Sequence, residues 1–223
     1  MLVRNHMTRD PICMDPSAPV RDILRAMALR KVHHMPIADD RRHALGIISA
    51  TDLCRAAGVY ESDLAERRAD EVMSRPRSIA MDAPLRWALD QLCEHGADAL
   101  LVVDRGILIG TLTRADVLRA LRSALAFDQE GSCLEVSLDD PDDLFVVFQV
   151  LQEQKAEVRS AVIGAVREDG GGAVLGLRVG VRDPRPLERA LTEAALTLLV
   201  PQEELALRGA PPLEREPEPQ RES

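Results

Sequence analysis

Aromatic side chains are nearly absent: the 223 residues hold one tryptophan, one tyrosine and three phenylalanines, 2% in all. Any core must therefore be aliphatic, and stacking platforms for single-stranded nucleic acid are disfavoured. Lysine is as scarce, with only Lys31 and Lys155, and the formal net charge is −9. That balance argues against nucleic acid as the main partner, although it leaves room for a local basic pocket. The four cysteines (Cys13, Cys54, Cys93, Cys133) form no CxxC pair, and no His/Cys cluster has zinc-ligand spacing, so no metal site is expected. Adjacent His33 and His34 do not alter that expectation, because neighbouring side chains diverge in regular structure. No stretch approaches 18 uninterrupted apolar residues. Arg4, His6, Arg9 and Asp10 break any leading apolar run that a signal peptide would need. The expectation is a cytoplasmic protein with reduced thiols and no membrane contact. No Walker loop or nucleophile elbow is present, and Gly170-Gly171-Gly172 lacks the lysine and helix of a phosphate cradle. An enzyme is not expected.

What the chain does have is a repeat. Gly46-Ile47-Ile48-Ser49-Ala50-Thr51-Asp52 recurs as Gly110-Thr111-Leu112-Thr113-Arg114-Ala115-Asp116, with glycine and aspartate each 64 residues on. That period is too long for a helical solenoid and suits two copies of a small domain. The echo extends outward. Met7-Thr8-Arg9-Asp10-Pro11-Ile12 corresponds to Met73-Ser74-Arg75-Pro76, and Asp15-Pro16-Ser17-Ala18-Pro19 to Met81-Asp82-Ala83-Pro84. Val20, Ile23, Leu24 and Met27 predict a helix, as do Leu85, Ala88, Leu89 and Leu92, each with a proline at its start. Strands follow at Met35–Ala38 and Ala99–Val103. Second strands carry the glycines and run into helices beginning near Asp52 and Asp116. The offset falls from 65 to 64 between helix and glycine, so one residue is lost in between.

Beyond residue 131 the pattern changes. Leu134–Leu138 alternates as a strand, Leu144, Val147, Phe148 and Leu151 mark a helix, and Val158–Val166 and Ala173–Val179 read as strands around Asp169-Gly170-Gly171-Gly172. Leu187, Ala190, Leu191 and Ala194 predict a second helix, and Leu198–Val200 a last strand. The order β-α-β-β-α-β is ferredoxin-like. The Pro/Glu/Arg-rich tail reads as disordered.

The repeated polar residues sit where strand turns into helix. A hydroxyl and a carboxylate at such a turn are what a ribose phosphate needs. Ser49, Thr51 and Thr113 could donate to phosphate near a helix N-terminus, or serve as caps. Ala115 replaces Thr51 in the second copy, with Arg114 as a compensating charge. Arg9 and Arg75 are further candidates for phosphate.

The two Gly-h-h-Ser/Thr-x-x-Asp segments, the Met-Thr/Ser-x-x-Pro openings and the His34-Met35-Pro36-Ile37 strand resemble a tandem pair of cystathionine-β-synthase (CBS) domains, the Bateman module, over about residues 1–122. Residues of about 132–202 resemble an ACT domain, with Pro141-Asp142-Asp143-Leu144 where a Pro-Gly-x-Leu turn is usual. The combination is similar to the acetoin-utilisation AcuB-type proteins. The resemblance implies an α/β (α+β) chain: CBS repeat 1 over 1–58, linker and CBS repeat 2 over 59–126, an ACT-like domain over 131–203 and a disordered tail over 204–223. It also implies an adenine nucleotide (AMP, ADP or ATP) or S-adenosylmethionine as ligand. Asp52 and Asp116 would accept the ribose hydroxyls, Ser49, Thr51, Thr113 and Arg114 would face phosphate, and His34 would line the adenine pocket. Thr8, Arg9 and Pro36 complete the implied set. A homodimer regulating an unidentified enzyme is the expected assembly. The alternatives are capping roles for both aspartates, and an interaction protein with decayed ligand sites. Asp142 in place of the turn glycine argues against a free amino acid as ligand.

Overall fold

The computed structural model describes residues 1–57, 61–94, 96–166 and 172–199. The connector at Gly58, most of the expected 169–172 turn, Val200 and the 204–223 tail lie outside the described residues. The chain divides into two compact units, residues 1–121 and the residues from 122 onward.

The first unit opens on a short 3-10 turn at Val3–Asn5 and strand β1 (Thr8–Arg9), then α1 (Val20–Arg30), β2 (His34–Ala38), β3 (Ala44–Ser49) and α2 (Ala50–Ala57). A second copy follows: α3 (Ala69–Val72), β4 (Ser78–Ala80), α4 (Leu85–Glu94), β5 (Ala99–Asp104), β6 (Ile107–Thr113) and α5 (Arg114–Ala124). Pro19 and Pro84 each lie one residue ahead of their helix, with Pro19 as N-cap of α1. Proline suits both places, since its fixed φ leads into the helix and its missing N–H would be an orphan there anyway. The one-residue difference between the copies falls in the hairpins. Ile37 pairs with Gly46 across β2–β3, and Val102 pairs with Gly110 across β5–β6, so the first hairpin spans one residue more.

The copies exchange their leading segments, which the helix and strand patterns do not reveal. β1 pairs with β6 of the second copy, Thr8 opposite Thr111 and Arg9 opposite Gly110. Reciprocally, Ser74, at the head of the second copy, bridges Ile47 of β3 in the first. Val3 is fully buried among the second copy's core residues, with Leu85, Leu92, Leu100 and Leu112. The repeated glycines follow from this exchange. A Cβ on Gly46 would fall 2.2 Å from Met73 Sδ, and one on Gly110 would fall 2.8 Å from Met7 Sδ and 3.0 Å from the Thr8 carbonyl oxygen. Only glycine lets the crossing segment approach that strand. The first copy's core holds Val20, Ile23, Met35, Ile37 and Ile48. A smaller cluster of Ala38, Leu101 and Leu108 joins the two copies. All these side chains are aliphatic or thioether, as the scarcity of aromatics requires.

The second unit runs β7 (Ser132–Leu138), α6 (Asp143–Glu153), β8 (Val158–Val166), β9 (Ala173–Val179) and α7 (Arg185–Glu193). The sheet order is β7-β9-β8, antiparallel throughout, and Leu198 bridges Val136 on the free side of β7. Leu134, Val136, Leu175, Leu177 and Val179 on the sheet pack with Val147, Leu151, Leu187 and Leu191 on the helices. Among the described residues, no helix of either unit is long and apolar enough to cross a membrane.

Candidate ligand-binding site

Each copy ends its last strand in a capping box. The Ser49 hydroxyl accepts the N–H of Asp52 at 3.2 Å, and the Asp52 carboxylate accepts the Ser49 N–H at 2.8 Å and its hydroxyl at 2.6 Å. Thr113 and Asp116 repeat this, with the Thr113 N–H at 2.7 Å and its hydroxyl at 2.6 Å from the carboxylate. Ser-x-x-Asp and Thr-x-x-Asp thus perform the reciprocal cap that starts α2 and α5, and such a cap contributes about 0.5–2 kcal/mol. The capping role is real, and it holds both carboxylates at cavity walls. Asp52 and Asp116 are buried, with 7% and 6% of their surface exposed.

The two capping boxes each face a cavity of the first unit. The first, of about 230 Å³, is lined by Ser49, Thr51, Asp52 and Arg55 on one side and Ser74, Arg75 and Arg77 on the other. The second, of about 750 Å³, is lined by Thr113, Arg114, Ala115, Asp116 and Arg119, by Thr8 and Asp10–Ile12, and by residues 30–34 and Pro36. His34, Asp98 and Ala99 line both. Nine of the ten residues expected at the ligand site therefore face one cavity or the other. Arg9 does not: it lines a separate hollow with Arg42 and Asp104, and its guanidinium bonds the Arg4 carbonyl at 3.3 Å. Arg114 is present but committed. It donates to the carbonyls of Ala97 (3.2 Å) and Leu92 (3.0 Å) and pairs with Asp98 at 3.4 Å, tying off the end of α4.

The two carboxylates are not equivalent. Asp52 receives four hydrogen bonds: two from Ser49, one from the Ser74 hydroxyl and one from Arg55 at 3.3 Å. Asp116 receives three: two from Thr113 and one from Arg119. Thr8 occupies the place of Ser74 but makes no side-chain bond to Asp116 among the described residues. Burial raises the Asp52 carboxyl, yet the bonds from Ser49 and Ser74, with Arg55 behind them, outweigh it and hold the group below its usual value. His34 is held below its ordinary value chiefly by burial; Asp98 and Asp52 pull it up, and His33 pushes it further down.

Sequence reasoning passed over Ser74, Arg55 and Arg119. Signals for them exist. Asp52-Leu53-Cys54-Arg55 and Asp116-Val117-Leu118-Arg119 share an Asp-x-x-Arg spacing that puts each arginine one helical turn beyond its aspartate. Ser74 is the counterpart of Thr8 in the repeated openings.

Residues 3–58 and 69–123 match the CBS domain family. The first unit is a tandem pair of CBS domains, a Bateman module. Inosine-5'-monophosphate dehydrogenase of Halobacterium salinarum is 34% identical over 119 residues, which are 52% of this chain and 23% of that enzyme. A solved structure from Vibrio cholerae, of a protein assigned to acetoin utilization (AcuB), is 28% identical and covers 59% of this chain and 98% of its own, with a TM-score of 0.53. The CBS pair of protein MJ0100, solved with 5-methylthioadenosine and S-adenosyl-L-methionine, shares the fold at 20% identity, 55% of this chain, 97% of its own and a TM-score of 0.51. The chain spans 15% to 55% of the length of the curated relatives it matches.

Proposed function

We propose that this protein is a non-enzymatic regulator that binds an adenine nucleotide or related adenosyl ligand between its two CBS domains. The observation that carries the reading is the pair of buried carboxylates, each held by a capping box at the wall of a cavity that both copies build. A carboxylate fixed in this way, where an acceptor position stays open, accepts a hydrogen bond from a ribose diol without reorganising. The second unit is read as a ferredoxin-like ACT-type domain. Its β-α-β-β-α connectivity supports this, with Leu198 bridging the outer side of β7. Dimerisation through this unit, or relay of the signal to a regulated enzyme in the cytoplasm, is part of the same proposal. Val158, Val162 and Ile163 leave the β8 edge exposed and apolar, which suits pairing with a second copy. A free amino acid is not the expected ligand of this unit. The Asp143 carboxylate already takes the N–H groups of Asp139 and Asp140, and Asp140 takes that of Asp142, so the turn closes on its own acids.

The test is a thermal-shift and calorimetric panel of AMP, ADP, ATP and S-adenosylmethionine on the full chain. A ligand of the native state raises the melting temperature by mass action. Flat responses to all four at millimolar concentration would sink the reading. They would favour the second one, an interaction protein with decayed sites, which the saturated Asp52 supports.

A further inference from the structure

We propose that the adenosyl ligand occupies the second cavity alone, with Asp116 receiving its ribose, and that Ser74 closes the first site by occupying Asp52. This rests on the functional reading above and adds which cavity is competent and what disables the other.

A carboxylate offers about four lone-pair positions. Asp52 has all four filled from within the chain, so a diol could bind only by displacing Ser74 or Arg55. Asp116 keeps one position open, because Thr8 stands in the place of Ser74 without donating to it. Size points the same way. A nucleoside needs a pocket of at least about 300 Å³, within the usual range for small-molecule sites. The second cavity, at about 750 Å³, meets this outright, and the first, at about 230 Å³, falls short while the Ser74–Asp52 bond ties its two walls together. Wall chemistry is the third difference. Where the first cavity has Arg75 and Arg77, the leading segment gives the second Asp10, Pro11 and Ile12; Val32, Pro36 and Ala115 add apolar surface for a base, while Arg30, Lys31, Arg114 and Arg119 keep cations at its wall. The exchange of leading segments is the cause: each site takes its second wall from the other copy, so Thr8 and Ser74 decide the fate of Asp116 and Asp52.

Calorimetric titration of the full chain with AMP tests this. One site per chain is expected. Asp116→Asn should weaken it about 10- to 150-fold, the loss of one charge-assisted bond. Asp52→Asn should shift it by less than about threefold, within the variation that indirect effects produce. Asp116→Asn also touches the α5 cap, so the exposed Ala115→Trp gives a second reading: it fills the second cavity without altering the capping box and should abolish binding. Ser74→Ala frees a position on Asp52 and should add a second, weaker site. Two equal sites in the wild type, loss of binding in Asp52→Asn, retained binding in Ala115→Trp or an unchanged single site in Ser74→Ala would each overturn the assignment. Absence of any AMP heat in the wild type and all variants would instead bring down the functional reading itself.

Discussion

The two CBS copies share a fold and a capping box, yet their clefts differ in most respects that matter to a ligand. The first is small and its carboxylate is saturated. The second is about three times larger, more apolar, and its carboxylate has one acceptor position open. Duplication therefore preserved what each helix start needs and left the cavity walls free to diverge. The walls come from the segments that the copies exchange, so Ser74 at the head of one copy reaches Asp52 of the other, whereas Thr8 makes no bond to Asp116 among the described residues.

The largest effects should come from breaking that exchange. Gly46→Val and Gly110→Val should each cost about 1–3 kcal/mol as overpacked positions, read by urea denaturation. At Gly46 the nearest atoms are Met73 Sδ, Cγ and Cβ, and at Gly110 they are Met7 Sδ and Cγ with the Thr8 carbonyl oxygen, so Met73→Ala, which keeps its Cβ, and Met7→Ala should each relieve the overpacking only in part. Full rescue at both positions would show that the segments do not cross as described. Next in size, Asp52→Asn should destabilise the ligand-free protein more than Asp116→Asn, by about 0.5–1.5 kcal/mol, the worth of the extra bond from Ser74. Equal losses would deny the asymmetry. Arg114→Ala should cost about 1 kcal/mol, reduced by the half-exposure of the side chain, through loss of its bonds to the end of α4. AMP affinity should change little; a large loss there would return Arg114 to the phosphate role.

The smallest effects are in pH. Asp52 lies below its ordinary value in the fold, so its contribution is complete above about pH 4 and is lost as pH falls through the folded-state value. His34 lies below about 6.5, so its contribution is complete above that pH and is lost as pH falls through its own folded value, with Asp98, Asp52 and His33 as the neighbouring charges. Melting profiles of His34→Gln should be flatter than wild type just below neutrality, and those of Asp52→Asn flatter only under about pH 4. A reversed order of these windows would contradict the environments described.

Much of this was legible in residues alone. Periodicity placed α1 and α4, alternation placed β7, the glycine-rich hairpin signal set β8 and β9 apart, and the 64-residue echo marked both capping boxes. The exchange was not, because no local pattern tells which copy a two-residue strand such as β1 will join; that choice is made by the burial of Val3 and the fit of Met7 against Gly110. The bonds that hold Arg9 and Arg114 were hidden for a related reason. Charge type was readable, but the carbonyls that claim each guanidinium lie at the end of another helix or on a preceding turn. Ser74 could have been found, since its alignment with Thr8 was visible. What was hidden is that only one of the two hydroxyls reaches its aspartate.

Whether the open carboxylate or the saturated one holds the ligand is decided by a crystal structure of the full chain grown with AMP. Nucleoside density is expected in the second cavity with its ribose on Asp116, and the Ser74–Asp52 bond intact. Density for the ribose on Asp52, with Ser74 displaced and the second cavity empty, would contradict it.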